Sequence, residues 1–161
     1  MSNSEIAQFA TNAQKAAQSL SSSTLAFSDA ALIYFQQGDK MATAMQKAEI
    51  TMKAAAISFN SSAQDMSEYL TAIWNSYQVG EKDMQRYVDI MANLGANTAT
   101  SMEEISTALQ KVAATANNVG VGMDQMSSII ATSASVTRQS AETIGTSWNT
   151  ILSRIGGLKL G

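Results

Sequence analysis

The sequence predicts an all-α fold: six or seven short helices in a compact bundle or a helical-hairpin stack, with one or two very long helices as the alternative. Three observations carry this. Proline is absent from all 161 residues, although ordinary usage of about 5 per cent would supply several. Its absence suits closely spaced helices, because proline removes a backbone donor and collides with the preceding turn. Apolar residues recur at three- and four-residue spacing, the period of one helix face. Finally, eleven of the 13 acidic residues, all but Glu49 and Asp89, fall in or near an expected first turn, where they meet the positive end of the helix dipole.

The first stripe is Ile6, Phe9, Ala13, Ala16, Ala17 and Leu20. Residues 21–24 interrupt it, though a continuous helix could run through. Phe27, Ala30, Ala31 and Tyr34 form the second, with Gly38 in a C-terminal capping role. Asp39 opens the third, whose stripe Met41, Met45, Ala48, Met52, Ala55 and Phe59 alternates spacings of four and three. That is a heptad-type seam under three heptads long. It reads as a core-facing stripe in a bundle, with an intermolecular coiled coil or an adaptable methionine surface as the other readings. After a break at residues 60–62, Ser62 or Asp65 opens the fourth helix, Asp65 and Glu68 standing at capping-box spacing. Its stripe is Met66, Tyr69, Leu70, Ile73, Trp74 and Tyr77, and Gly80 stops it.

Glu81 and Asp83 begin the next helix, striped by Met84, Tyr87, Val88, Met91 and Leu94 and broken at Asn97 and Thr98. Ser101 and Glu104 form a second capping box before the stripe Met102, Ile105, Leu109, Val112, Ala116 and Val119. Gly120 and Gly122 make a turn, and Asp124 starts a helix carrying Met126, Ile129, Ile130 and Ala134. The last helix begins near Ser140, is expected to bury Ile144, Trp148, Ile151, Leu152 and Ile155, and ends at Gly156 and Gly157. Residues 158–161 read as a truncation point. Gly145 stands inside this last stripe. A mid-helix glycine costs about 1 kcal/mol relative to alanine, so it is expected where another backbone comes close, with Trp148 filling the adjoining space. That backbone belongs either to an intramolecular helix crossing or to another chain.

Residues 63–73 align with 99–109 at an offset of 36, matching Ala, Met, Glu, Thr and Ala. The period suits stacked helical hairpins, and two similarly capped helices would also produce it.

Composition narrows the function. Charged residues are only 14 per cent, against roughly a quarter in ordinary domains, and the net charge is −3. Such a chain is poorly protected against self-association, and its surface reads as built to touch other protein. Cysteine and histidine are absent, which removes disulfides, thiol catalysis, zinc knuckles and the commonest general base and metal ligand. No residue reads as a cofactor ligand. The N-terminus is polar and acidic, unlike a signal peptide. The longest apolar run, residues 30–35, is far short of the ~18 that suggest a membrane span.

Candidate chemistry is thin. Glu103 and Glu104 are adjacent acids, but neighbours on a helix point in different directions, and both sit where first-turn acids sit. Asp124 follows a Gly-x-Gly with no preceding strand and no Lys-Ser/Thr after it, so the turn does not read as a nucleotide loop. With no histidine a serine nucleophile would need a lysine base, and no Ser-x-x-Lys occurs. The ten Lys and Arg are scattered and the pI is about 4.8, where a nucleic-acid-binding domain is usually basic. The segment reads as no enzyme and no specific nucleic-acid binder.

One stretch, Ser101 to Arg154, does resemble a known family. An acidic-capped helix leads to the Gly120-x-Gly122 turn, a second helix follows, and a Gly145-containing helix closes on Arg154 and Ile155. This order of parts resembles the core region of phage tail tape measure proteins, and the likeness extends back to about Ser23. It implies an N-terminal helical segment (1–22) outside the matched part, a helical core (23–157) and a truncated tail (158–161). By that resemblance the chain is a fragment of a longer protein that sets tail length during assembly. It would occupy the tail tube lumen of the virion until DNA ejection, having been assembled in the host cytoplasm. The implied partners are further copies of itself, the tail tube protein, tail assembly chaperones and tail tip proteins. Gly145, Trp148, Ile151, Arg154, Gly120 and Gly122 are the expected packing or partner contacts. The competing class is a secreted self-assembling helical protein or exported effector, which the absence of Cys and Pro and the Ser/Thr/Gln content would also fit.

Overall fold

The computed structural model describes residues 2–58 and 61–160, with side chains through Leu158. Phe59 and Asn60, expected in the third stripe and the break after it, lie outside the described residues. Among those described there are eight helices and no strand. They are α1 (Asn3–Ser19), α2 (Thr24–Gln36), α3 (Met41–Ile57), α4 (Ala63–Tyr77), α5 (Met84–Asn97), α6 (Met102–Asn118), α7 (Met123–Thr137) and α8 (Ala141–Leu160).

The count exceeds six or seven because the polar interruption after α1 is a true stop. Ser21 takes a left-handed φ of 52°, the Ser22 N–H reaches Ala17 O at 2.9 Å and the Ser21 N–H reaches Gln18 O at 3.3 Å. This crossed pair is the Schellman ending, which satisfies carbonyls the helix leaves open. The same ending recurs at Gly38, Gln78 and Gly120, so α4 stops two residues before the expected Gly80. No described helix exceeds 20 residues, which is about 30 Å.

Helix starts also follow local chemistry. Reciprocal capping boxes open α1 at Ser2 and Glu5 and α6 at Ser101 and Glu104. The box before α4 is Ser62 with Asp65 rather than Asp65 with Glu68. Two bonds from Ser62 to the Asp65 carboxylate hold its pKa below the usual aspartate value, and Ser2 does the same for Glu5. Asp39 does not cap α3, which starts at Met41 behind Lys40; its carboxylate instead accepts from Lys47 Nζ at 2.6 Å. An acidic residue occupies the first turn of α1, α4, α6, α7 and α8.

The chain divides into two compact units, Met1–Ser67 and Glu68–Gly161. In the first, α2 packs on α3 and α1 lies against both. Its core is largely alanine, with Ala13, Ala17, Ala30, Ala31, Ala44, Ala48 and Ala54 around Phe27 and Tyr34. The buried line of α3 therefore runs through Ala44, Ala48, Thr51 and Ala54, while Met45 and Met52 of the expected seam pack at its flank. Alanine lets two helices approach closely, and Thr51 is needed on that line because the buried Tyr34 hydroxyl shares a 2.6 Å hydrogen bond with its Oγ1.

The second unit is built around α6, which packs on α5, α7 and α8. Its core is larger and aliphatic, including Leu70, Ile73, Val88, Met91, Ile105, Leu109, Val112, Met126 and Ile130, all nearly free of solvent contact. The Tyr77 and Tyr87 rings meet edge to face at 6.2 Å, and Asn117 Nδ2 donates to Ser76 O at 3.0 Å. No helix among the described residues is long and apolar enough to cross a membrane.

Candidate functional site

The six residues marked in the sequence cluster on α8 and the α6–α7 turn, and the α6–α8 crossing organises them. Gly145 is buried. A Cβ built there would stand 2.7 Å from Ala108 O and 3.0 Å from Ala108 Cα, so one helix backbone rests on the other. Eleven positions further along both helices, a Cβ on Gly156 would meet Val119 Cγ1 at 3.0 Å. The two contacts advance together, so α6 and α8 run in the same direction. Leu152 is buried on this side, and the Thr115 hydroxyl donates to Asn149 Oδ1 between the two glycines.

Trp148 is half-buried and turned toward α7, where its indole N–H donates to Ser133 Oγ at 3.0 Å. Gly120 takes φ +84° in the Schellman ending of α6, a conformation that strains any residue with a Cβ. Gly122 is the N-cap of α7 with an ordinary φ of −68° and makes no side-chain cap. Ile151 and Ile155 depart from expectation: each is 43 per cent exposed. The small positions at 145 and 156, with Asn149 between, draw that side of α8 onto α6, and at about 100° per residue the two isoleucines are rotated outward. Arg154 is exposed beside them.

Sequence reasoning missed Gly95, where a Cβ would stand 2.6 Å from Met102 N. A glycine between Leu94 and Ala96, inside a helical stripe, was the available signal. It also missed the outer face of α2, where Leu25 and Leu32 are exposed; the signal there was a helix apolar on more than one side.

The site offers little chemistry. A shallow groove of about 600 Å³ beside α8 is lined by Lys111, Glu142, Thr143, Thr146, Ser147 and Thr150 together with Ile151, and among the described residues no hydrogen bond joins Lys111 to any of these hydroxyls. Burial raises the Tyr77 and Tyr87 phenols above their ordinary pKa, away from neutrality and from acid–base work. Among the described residues no group of His, Cys, Asp or Glu could hold a metal ion. The arrangement provides packing surfaces and a glycine-mediated crossing.

Residues 11–159 match the family model described as phage-related minor tail protein. The chain belongs to that family. The match takes in the second half of α1 and nearly all of α2 to α8, the crossing and the glycine turn included. No curated protein and no solved structure matches the chain. The minor tail family is structural, so this chain is a phage tail component of the virion that assembles with other tail components.

Proposed function

We propose that this minor tail protein acts as a tape measure: it occupies the lumen of the growing tail tube, sets the length at which polymerisation stops and leaves at DNA ejection. The observation that carries the reading is the family match over residues 11–159, which falls on the same order of capped helix, glycine turn and glycine crossing that resembles the tape measure core. A proline-free chain of helices with few charges also suits a protein packed among other proteins. Its partners are further copies of itself, the tail tube protein, the tail assembly chaperones and the tail tip. DNA passing through the lumen meets an acidic chain with scattered basic residues, which lets it pass rather than grips it.

Duplicating residues 24–155 in frame and measuring tails by negative-stain electron microscopy tests this. As continuous helix those 132 residues span roughly 200 Å at about 1.5 Å per residue. Tails longer by that amount are expected if the segment lies extended as part of the ruler. Tails of normal length would reduce its role to an anchoring module, and normal tails after deletion of the gene would end the tape measure reading.

A further inference from the structure

Two exposed apolar ridges, one on each unit, have matching spacing and opposite charge. On the outer face of α2, Leu25 and Leu32 are 71 and 52 per cent exposed, and the exposed Asp29 lies between them. Positions 25, 29, 32 and 36 follow each other by four, three and four residues, a heptad line. The opposite face of α2 is already committed to its own core through Phe27, Ala30, Ala31 and Tyr34.

On α8, Ile144, Trp148, Ile151, Ile155 and Leu158 also follow by four, three, four and three. This line starts buried at Ile144 and ends with Ile151 and Ile155 at 43 per cent and Leu158 at 81 per cent exposure. Arg154 flanks its open half. Among the described residues the ion pairs are Lys47–Asp39, Lys53–Glu49 and Arg86–Asp124, so Asp29 and Arg154 have none.

We propose that the α8 ridge of one copy docks on the α2 ridge of another, knobs into holes, with Arg154 facing Asp29. A charge of one sign on each ridge disfavours α2 on α2 and α8 on α8, because like charges meet in a self-pair. The contact therefore joins two different surfaces. A contact of this heterologous kind leaves an α2 ridge and an α8 ridge unpaired on the growing assembly, so association continues past two copies unless the series closes on itself. Each ridge covers about two helical turns, at the small end of protein interfaces, so binding is weak and reversible per contact. The proposal rests on the self-association read above and on nothing about length control, so the tail-length experiment and the one below fail independently.

The test is sedimentation velocity of the 161-residue chain across a concentration series up to millimolar, with circular dichroism confirming the fold of each variant. The wild-type mass is expected to rise with concentration past the dimer. Leu32→Glu removes one ridge and Ile155→Glu the other, each at an exposed position, and each variant alone should stay monomeric. Their equimolar mixture should form dimers and stop there, because only one intact pair of ridges remains. Asp29→Arg should weaken wild-type association severalfold, and adding Arg154→Asp should restore it. If either glutamate variant unfolds, Leu25→Gln and Ile151→Gln make the same pair with less disturbance. A wild-type chain that is monomeric throughout, glutamate variants that keep the wild-type mass, or one that still dimerises alone would each overturn the proposal.

Discussion

The two units solve the same problem with different side chains. The first buries seven alanines around Phe27 and Tyr34, and α1 contributes only Ala13 and Ala17 as buried residues. The second buries leucine, isoleucine, valine and methionine around α6, which alone has eight buried residues. Burying a Leu, Ile or Met side chain contributes about 1.5–3 kcal/mol, and an alanine methyl much less. Small residues bring helices close, but they leave the first unit dependent on a few large groups. The second unit spreads its stabilisation over many, and uses glycine where backbones must touch. One fold class thus contains a lightly held unit and a firmly held one.

The sharpest way to break this contrast is Phe27→Ala. Removing a fully buried phenylalanine costs about 3–5 kcal/mol, and few other large side chains in the first unit can close the void. Hydrogen exchange should show protection lost across α2 and α3 and retained in α6 and α8. Equal loss in both would mean the units do not differ in this way.

A smaller effect is expected in the second unit from Gly145→Ala. The new Cβ would lie 2.7 Å from a backbone oxygen, and such overpacking costs about 1–3 kcal/mol, offset by about 1 kcal/mol of improved helix propensity. A net loss of up to about 2 kcal/mol is expected, read as a lower melting temperature. Gly157→Ala, where a Cβ meets nothing within 4 Å, should be neutral or stabilising. If both substitutions behave alike, the crossing does not depend on glycine.

The sequence made the second unit easier to read than the first, for physical reasons. Large apolar residues at helical spacing mark a core face strongly, so the stripe from Met102 through Ala116 and the Ser101–Glu104 box stood out. An alanine face is only a methyl deep and barely differs from an alanine on the solvent side. The expected seam of α3 accordingly lies one step around the helix, on Met41, Met45 and Met52 rather than on Ala44, Thr51 and Ala54, with Ala48 common to both lines. Ile151 and Ile155 were misread for the converse reason: their spacing is that of a core, but which of two adjacent faces turns inward is set by Gly145 and Ala108, 37 residues apart. Periodicity cannot see a contact of that kind. Helix ends were legible where glycine marked them, at Gly38 and Gly120, and displaced where it did not, at Gln78.

That last difference yields the smallest prediction and a clean one. Gln78 and Gly120 hold the same position in two Schellman endings of the second unit, with φ of 52° and 84°. A left-handed conformation costs a residue with a Cβ about 1–2 kcal/mol, while glycine there gives back part of that gain through its greater freedom in the unfolded chain. Gln78→Gly should therefore raise stability by about 0.5–1 kcal/mol, and Gly120→Gln should lower it by at least as much. Both positions are exposed, but Asn117 Nδ2 bonds Ser76 O between the two endings, so the departure of the double variant from the sum measures the coupling between them. Urea melts of the four proteins would show this as midpoints moving in opposite directions with unchanged slopes. A Gln78→Gly variant no more stable than the wild type would mean that the glutamine side chain repays its backbone strain through a contact of its own.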